Sequence, residues 1–277
     1  MHLLPALFSV VSYAYFCCIF SLYWAFLVPR DLLPAFASRL VPWSLSSAPR
    51  GSSDGGALLL DVLLLAAFAA PHSALARAPV KAFLGLPAAM ERPFYILQSS
   101  ALLHLQLAAW RDFGGAHPLW DARGDAVLCG AIMACFAAGL LFLLTASFAL
   151  DHFHLLGLSQ GLGVDVNAAL GFAGKAPAAA AGGLSIRWHY AFVAHPIMTG
   201  TLVCLWATPL MTFPRLLFAA VNSLYIFTAV KCCEEPALRA EIGEPYSRYL
   251  QVTPSFCPFV WPRAGVSEGK RGKGRGA

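Results

Sequence analysis

Apolar residues run in long blocks separated by short polar interludes, and six blocks have the length of a bilayer-crossing helix or approach it. They cover 3–28, 57–76, 94–110, 126–150, 192–210 and 213–231, against about 20 apolar residues needed to cross the hydrocarbon core as a helix. The third is the shortest and follows Arg92-Pro93, with proline suited to a helix's first turn. Only a few residues around Met211-Thr212 and Phe213-Pro214 separate the fifth from the sixth, which predicts a tight antiparallel helical hairpin. The pattern predicts an all-α fold, a polytopic membrane helix bundle of about six transmembrane helices with a C-terminal helical hairpin. Residues 29–56 hold Pro, Ser, Gly and Arg and read as a loop. Residues 151–191 contain Gly157, Gly161, Gly163 and an Ala/Gly-rich run within 176–183, whose composition favours a disordered insertion over a helix.

Composition agrees. Apolar residues make up 58% and charged residues 12%, against roughly 45–50% and 25% in soluble domains. A charged coat for a water-soluble globule cannot be assembled from so few groups, so a soluble enzyme, a disordered chain and a disulfide-rich secreted module are all excluded. Residues 3–28 have no basic region before them and no small-residue cleavage site, and read as a first span. Most of the eight cysteines lie inside apolar runs without a Cys-x-x-Cys pair, a pattern of buried hydrophobes rather than of zinc or disulfide chemistry.

Charge predicts orientation. The formal net charge is +5, and much of the excess sits in a basic tail over 263–277: Arg263, Lys270, Arg271, Lys273 and Arg275, opposed by Glu268. Such a tail suits topology or anionic lipid, not nucleic acid. Lys and Arg number 13 on the side of both chain ends and 6 on the other, which predicts N- and C-termini in the cytoplasm.

Ionisable groups within or beside membrane spans are functional candidates by default. His195-Pro196 opens the fifth block, and Lys231-Cys-Cys-Glu234-Glu235 closes the sixth. Two helices of similar length joined by a short turn place the start of one beside the end of the other, so His195 should neighbour Glu234 and Glu235. Unpaired N–H groups at a helix start favour a carboxylate, and paired carboxylates favour a cation or hydroxyl groups. S-adenosylmethionine combines a carboxylate, an ammonium, ribose hydroxyls and a sulfonium. His104 and Gln106, inside the third block, read as helix–helix hydrogen bonds.

Segment 192–258 resembles the C-terminal signature of the membrane methyltransferases related to isoprenylcysteine carboxyl methyltransferase and phosphatidylethanolamine methyltransferase. The resemblance is carried by His195-Pro196 and by the spacing of Glu234, Glu235, Leu238, Gly243, Tyr246 and Tyr249. A finer similarity, to methanethiol S-methyltransferases and to nurim, covers most of the chain. It includes Pro71-His72-Ser73, Glu91-Arg92-Pro93-Phe94-Tyr95, Trp120-Asp121, Asp151 with Leu155-Leu156-Gly157-Leu158, and the hairpin from Trp206 to Phe218.

The resemblance implies a single integral membrane methyltransferase-like domain over 1–262, with its cofactor half at about 185–258. It implies S-adenosylmethionine contacts at His195, Pro196, Gly200, Glu234, Glu235, Tyr246 and Tyr249, catalytic roles for His195 and His72, and a substrate pocket at His72, Asp151 and Tyr190. No metal is implied. The expected reaction is methylation of a small thiol, methanethiol to dimethyl sulfide. The alternatives are another lipophilic acceptor, such as a prenylcysteine carboxylate or phospholipid amine, and a non-enzymatic nurim-like envelope protein. Ala194 stands where these families usually have arginine before His-Pro, and Met198 where they often have tyrosine; Arg187 and Lys231 are the candidates to replace the guanidinium.

Overall fold

A computed structural model of the chain describes residues 3–115, 117–171, 186 and 188–257. The Ala/Gly-rich run, Arg187 and the basic tail lie outside the described residues. The fold is an all-α membrane bundle. Its principal helices are α1 (Leu3–Leu27), α2 (Asp54–Leu75), α3 (Ala88–Ala109), α4 (Ala126–Leu150), α5 (Pro196–Trp206), α6 (Phe213–Ala229), α7 (Glu235–Ile242) and α8 (Glu244–Val252). Three of their starts carry side-chain caps. Ser53 accepts the Gly56 amide at the head of α2, Asp125 those of Val127 and Leu128 at the head of α4, and Thr212 that of Arg215 at the head of α6.

Among the described residues, four helices are long and apolar enough to cross a membrane: Leu3–Leu27, Asp54–Leu75, Ala126–Leu150 and the continuous Phe213–Ile242. At most 22% of the apolar window of each is buried, so most of that surface faces outward, as lipid-facing helices require. Successive helices alternate in direction, which gathers their ends into two sets. At the hairpin-turn end, Trp120–Asp121 pairs antiparallel with Leu210–Met211, Arg123 meets Asp31, and the Arg215 guanidinium caps α1 at the Leu27 carbonyl. At the opposite end, Arg92 meets Leu155, Tyr13 meets His152, and the Ala194 amide meets Pro254.

Three segments differ from the reading of the sequence. Helix α3 begins six residues before the third apolar block, at Ala88, and so carries Pro93 inside it. A proline there leaves one carbonyl of the preceding turn without its donor. Gly157 packs against that spot; a Cβ on it would stand 2.7 Å from the Pro93 nitrogen. The fifth block forms a helix of only eleven residues, about 16 Å long and roughly half the hydrocarbon thickness. The sixth block does not stop at Lys231 but continues through a π turn, Val230–Glu234, into α7. The segments read as loops also contain short helical turns, among them Ala35–Leu40, His152–Leu155 and Leu158–Leu162.

Helix–helix hydrogen bonds fall where the sequence placed them. Tyr15 Oη lies 2.8 Å from His104 Nδ1, and Gln106 Nε2 donates to the Leu64 carbonyl at 3.1 Å. The main core gathers near the hairpin-turn end around Trp24, Phe26, Leu27, Trp110, Leu205 and Phe218.

Helix α5 lies along α4, and the approach is close because both surfaces lack side chains. A Cβ on Gly200 would stand 2.6 Å from the Gly139 carbonyl oxygen and 2.7 Å from Leu143 Cβ. Small residues at such crossings are characteristic of membrane helices. Gly200→Leu is expected to destabilise the fold by at least about 1–3 kcal/mol. Thermal unfolding in detergent should show a lowered midpoint. Gly130→Ala, on α4 with nothing within 4 Å of its Cβ position, should not lower it.

Candidate active site

The site is built where the hairpin's two free ends meet the C-terminal segment. Pro196 occupies the first turn of α5 and His195 its N-cap; proline costs nothing there because that N–H has no partner in any helix. No side chain caps this helix start. The residues leading into it are pinned by backbone bonds. The Ala194 amide donates to the Pro254 carbonyl at 2.8 Å, and the His195 amide to the Ser255 carbonyl at 3.0 Å. Thr199 Oγ1 adds a bond to the Phe256 carbonyl at 2.8 Å, and the Phe256 ring lies 5.6 Å from the imidazole.

The expected meeting of His195 with the acidic doublet is present. The imidazole is buried, with Nδ1 at 3.5 Å from a Glu234 carboxylate oxygen and Nε2 at 3.4 Å from Glu235 Oε1. What aims the doublet is the π turn. Pro236 has no N–H to continue an α-helical ladder, and the Glu235 amide instead reaches back to the Val230 carbonyl.

The two glutamates are not equivalent. The Glu235 side chain is 3% exposed, against 44% for Glu234. Glu235 Oε1 accepts from Lys231 Nζ at 2.5 Å and from Ser255 Oγ at 3.1 Å, while Oε2 accepts from Arg239 at 3.3 Å. A buried carboxylate needs such pairing, and this one is saturated by it. Glu235 is therefore the clamp that fixes His195 and the C-terminal segment, whereas Glu234 has His195 as its ion partner and keeps a face open. Lys231 supplies the cation beside this corner. Ala194 packs against Tyr246 and Tyr249, a space that an arginine side chain would not share.

Tyr246 and Tyr249 are both buried, from α8. Tyr249 Oη donates to the Tyr190 carbonyl at 2.5 Å and so latches the segment before α5; burial pushes its phenol up to about 12. The Tyr246 hydroxyl is buried and has no hydrogen-bond partner among the described residues. Burial and the two glutamates hold its phenol above the usual tyrosine range, leaving a neutral donor beside two carboxylates. Burial and Glu234 do the same to Tyr190. Gly200 is placed apart from this chemistry, its missing side chain explained by the packing on α4.

A second polar cluster lies between α2, α3 and α6. His72 is bonded at both nitrogens, Nδ1 to Ser99 Oγ at 2.9 Å and Nε2 to Tyr95 Oη at 2.7 Å, and its ring stacks on Phe68. Ser73 and Tyr225 share a hydroxyl pair at 2.9 Å beside it. Tyr95 interacts electrostatically with both Arg92 and Glu234. Asp151 caps the turn that follows α4, accepting from the His154 amide at 3.0 Å and from Asn167 Nδ2 at 2.5 Å. That turn carries the Leu155 carbonyl, which accepts from Arg92 Nε at 2.6 Å. Ser255 and Phe256 gave no signal in the sequence, since only the fold brings them to His195. Arg92, Tyr95 and Ser99 did give one, being spaced so that a single helix face presents all three.

The buried imidazole, the partnerless Tyr246 hydroxyl and the half-exposed Glu234 form a set of donors and acceptors with capacity to spare. A zwitterionic, hydroxyl-bearing ligand matches that set. No protein-family model matches the chain, and no solved structure is similar to it. Curated relatives are extensive. The chain is 34% identical to methanethiol S-methyltransferase of Crocosphaera subtropica, over 91% of this chain and 92% of the relative. It is 33% identical to methanethiol S-methyltransferase 2 of Bradyrhizobium diazoefficiens, over 98% and 96%. Mouse nurim is 27% identical over 61% of the chain and 63% of its own length. The alignments with the enzymes run through both polar clusters and the clasp between them, and the chain belongs to the methanethiol S-methyltransferase family.

Proposed function

We propose that the protein is an integral membrane methyltransferase that moves a methyl group from S-adenosylmethionine to methanethiol, giving dimethyl sulfide. The observation that carries the donor half of this reading is the His195 imidazole held between two carboxylates of unequal freedom. Glu235 is spent on Lys231, Arg239 and Ser255, so the donor's positive groups and ribose hydroxyls fall to Glu234, His195 and the Tyr246 hydroxyl. The uncapped start of α5 at Pro196 suits the donor's carboxylate, and Tyr249 holds Tyr190 against that start. When bound, the donor supplies a methyl group already activated on a sulfonium. The chain then needs alignment and exclusion of water more than an acid–base pair, and positioning alone accounts for several kcal/mol of barrier reduction.

The acceptor half is the His72 cluster, with Asp151 bracing the turn beside it. Its position between helices at the end of the bundle suits a small apolar thiol arriving through lipid and a neutral thioether leaving the same way. The distribution of Lys and Arg supports a cytoplasmic position for this end and for both termini, the side where the donor is made.

Cells expressing the protein and fed methanethiol are expected to release dimethyl sulfide, measured by headspace gas chromatography. Methylation of a prenylcysteine carboxylate or a phospholipid amine in its place would overturn the choice of acceptor. In detergent-purified protein, Glu234→Gln and His195→Ala are each expected to weaken adenosylmethionine binding by about tenfold or more, read by calorimetric titration. Glu235→Ala, which also unclamps Lys231 and Ser255, should abolish binding while the protein stays in the membrane fraction. Unchanged donor affinity in all three variants would remove the donor site from this end of the hairpin.

A further inference from the structure

We propose that Arg92, seated on the ring of Tyr95, is the cation that keeps the bound acceptor ionised as a thiolate. The inference rests on the thiol-methyltransferase reading above and names the group that makes its acceptor half work.

Most cations around the donor half are matched by carboxylates: Lys231 and Arg239 share Glu235. Arg92 is not. Among the described residues it makes no ion pair; its Nε donates to the Leu155 carbonyl at 2.6 Å, and its guanidinium carbon lies 4.9 Å from the centre of the Tyr95 ring. A carbonyl and an aromatic face orient the group without cancelling its charge. An uncompensated guanidinium on a membrane helix is costly to keep, and an anion bound beside it offsets that cost.

The support beneath Arg92 is rigid. Tyr95 Oη is fixed on His72 Nε2, and His72 is fixed in turn by Ser99 and stacked on Phe68. His72 and Tyr95 are thus positioning residues for the guanidinium. Phe68 and the helix walls supply an apolar surround in which a single positive charge acts strongly.

The chemistry requires such a group. An alkanethiol is mostly protonated at neutral pH, and the thiolate is the nucleophile. Beside Arg92 the bound thiol loses its proton to water, and the sulfur keeps the electron pair. That sulfur forms a bond to the methyl carbon while the bond from this carbon to the sulfonium breaks. The released pair stays on the departing sulfur, which becomes a neutral thioether. The methylated product is neutral too, so it no longer has an attraction to Arg92 and leaves.

The test is the pH dependence of kcat in purified protein, with ethanethiol and the more acidic 2,2,2-trifluoroethanethiol as acceptors and adenosylmethionine affinity measured in parallel. Arg92→Met is expected to move the rise of kcat upward by about one to two pH units, with donor affinity within twofold of wild type. The loss at neutral pH should be smaller for trifluoroethanethiol, which ionises more readily, and Arg92→Lys should recover part of it. If Arg92→Met does not keep the wild-type unfolding temperature, Tyr95→Phe decides the matter. It preserves the ring and cuts the bond to His72, and a smaller shift in the same direction is expected. An unmoved profile, or a loss of donor affinity in a folded variant, overturns the assignment to Arg92 while the methyltransferase reading stands. A wild-type protein that methylates no thiol overturns both.

Discussion

A short C-terminal stretch folded back onto the start of a helix holds the reactive end of this molecule together. The amides of Ala194 and His195 donate to the carbonyls of Pro254 and Ser255, and Ser255 also ties its hydroxyl into the Lys231–Glu235 pair. His195 would otherwise sit at the frayed beginning of an eleven-residue helix. Backbone groups that would have been orphaned at that end find partners, and the imidazole is locked against two carboxylates in consequence. The clasp depends in turn on the π turn in the outgoing helix, because a straight continuation would rotate Glu234 and Glu235 by a different angle.

Charge in a membrane protein is expensive unless it is paired, solvated or used, and the bundle sorts its ionisable groups accordingly. At the hairpin-turn end Arg123 is bracketed by Asp121 and Asp31, within the bundle hydroxyls and imidazoles are hydrogen-bonded to one another, and Glu235 is surrounded by cations. At the His195 end Glu234 is an anion with an open face and Arg92 a cation held by a carbonyl and a ring; at the hairpin-turn end the buried Arg215 likewise has no carboxylate partner among the described residues. Glu234 and Arg92 both interact electrostatically with Tyr95. In the proposed reaction, which brings together a sulfonium and a thiolate, Glu234 is assigned to the donor and Arg92 to the acceptor.

Relatedness and geometry carry different parts of the functional argument. Identity near one third along almost the whole chain establishes the family. The distances distinguish Glu235 as a clamp from its neighbour and give Gly200 to helix packing. Nurim aligns over a smaller part of the chain, so the resemblance to it is compatible with a shared scaffold.

The amino-acid pattern alone determined the membrane class, the positions of the long helices, the hairpin and the encounter of His195 with the acidic doublet. Each of these follows from local quantities: run lengths of apolar residues, proline positions, and a turn too short to do anything but reverse the chain. Helix ends were less legible. Pro93 lies within α3 with Gly157, distant in sequence, packed at its nitrogen, and the chain passes Lys231 through a π turn just before Pro236; neither feature is signalled by periodicity. The difference between Glu234 and Glu235 was invisible for the same reason, since adjacent identical residues acquire distinct roles only from what surrounds each. Burial and pairing between segments far apart in the chain are properties of the assembled fold, and they alone decided that Glu235 is buried and joined by Ser255 while Glu234 keeps an open face, and that Arg92 meets the Leu155 carbonyl.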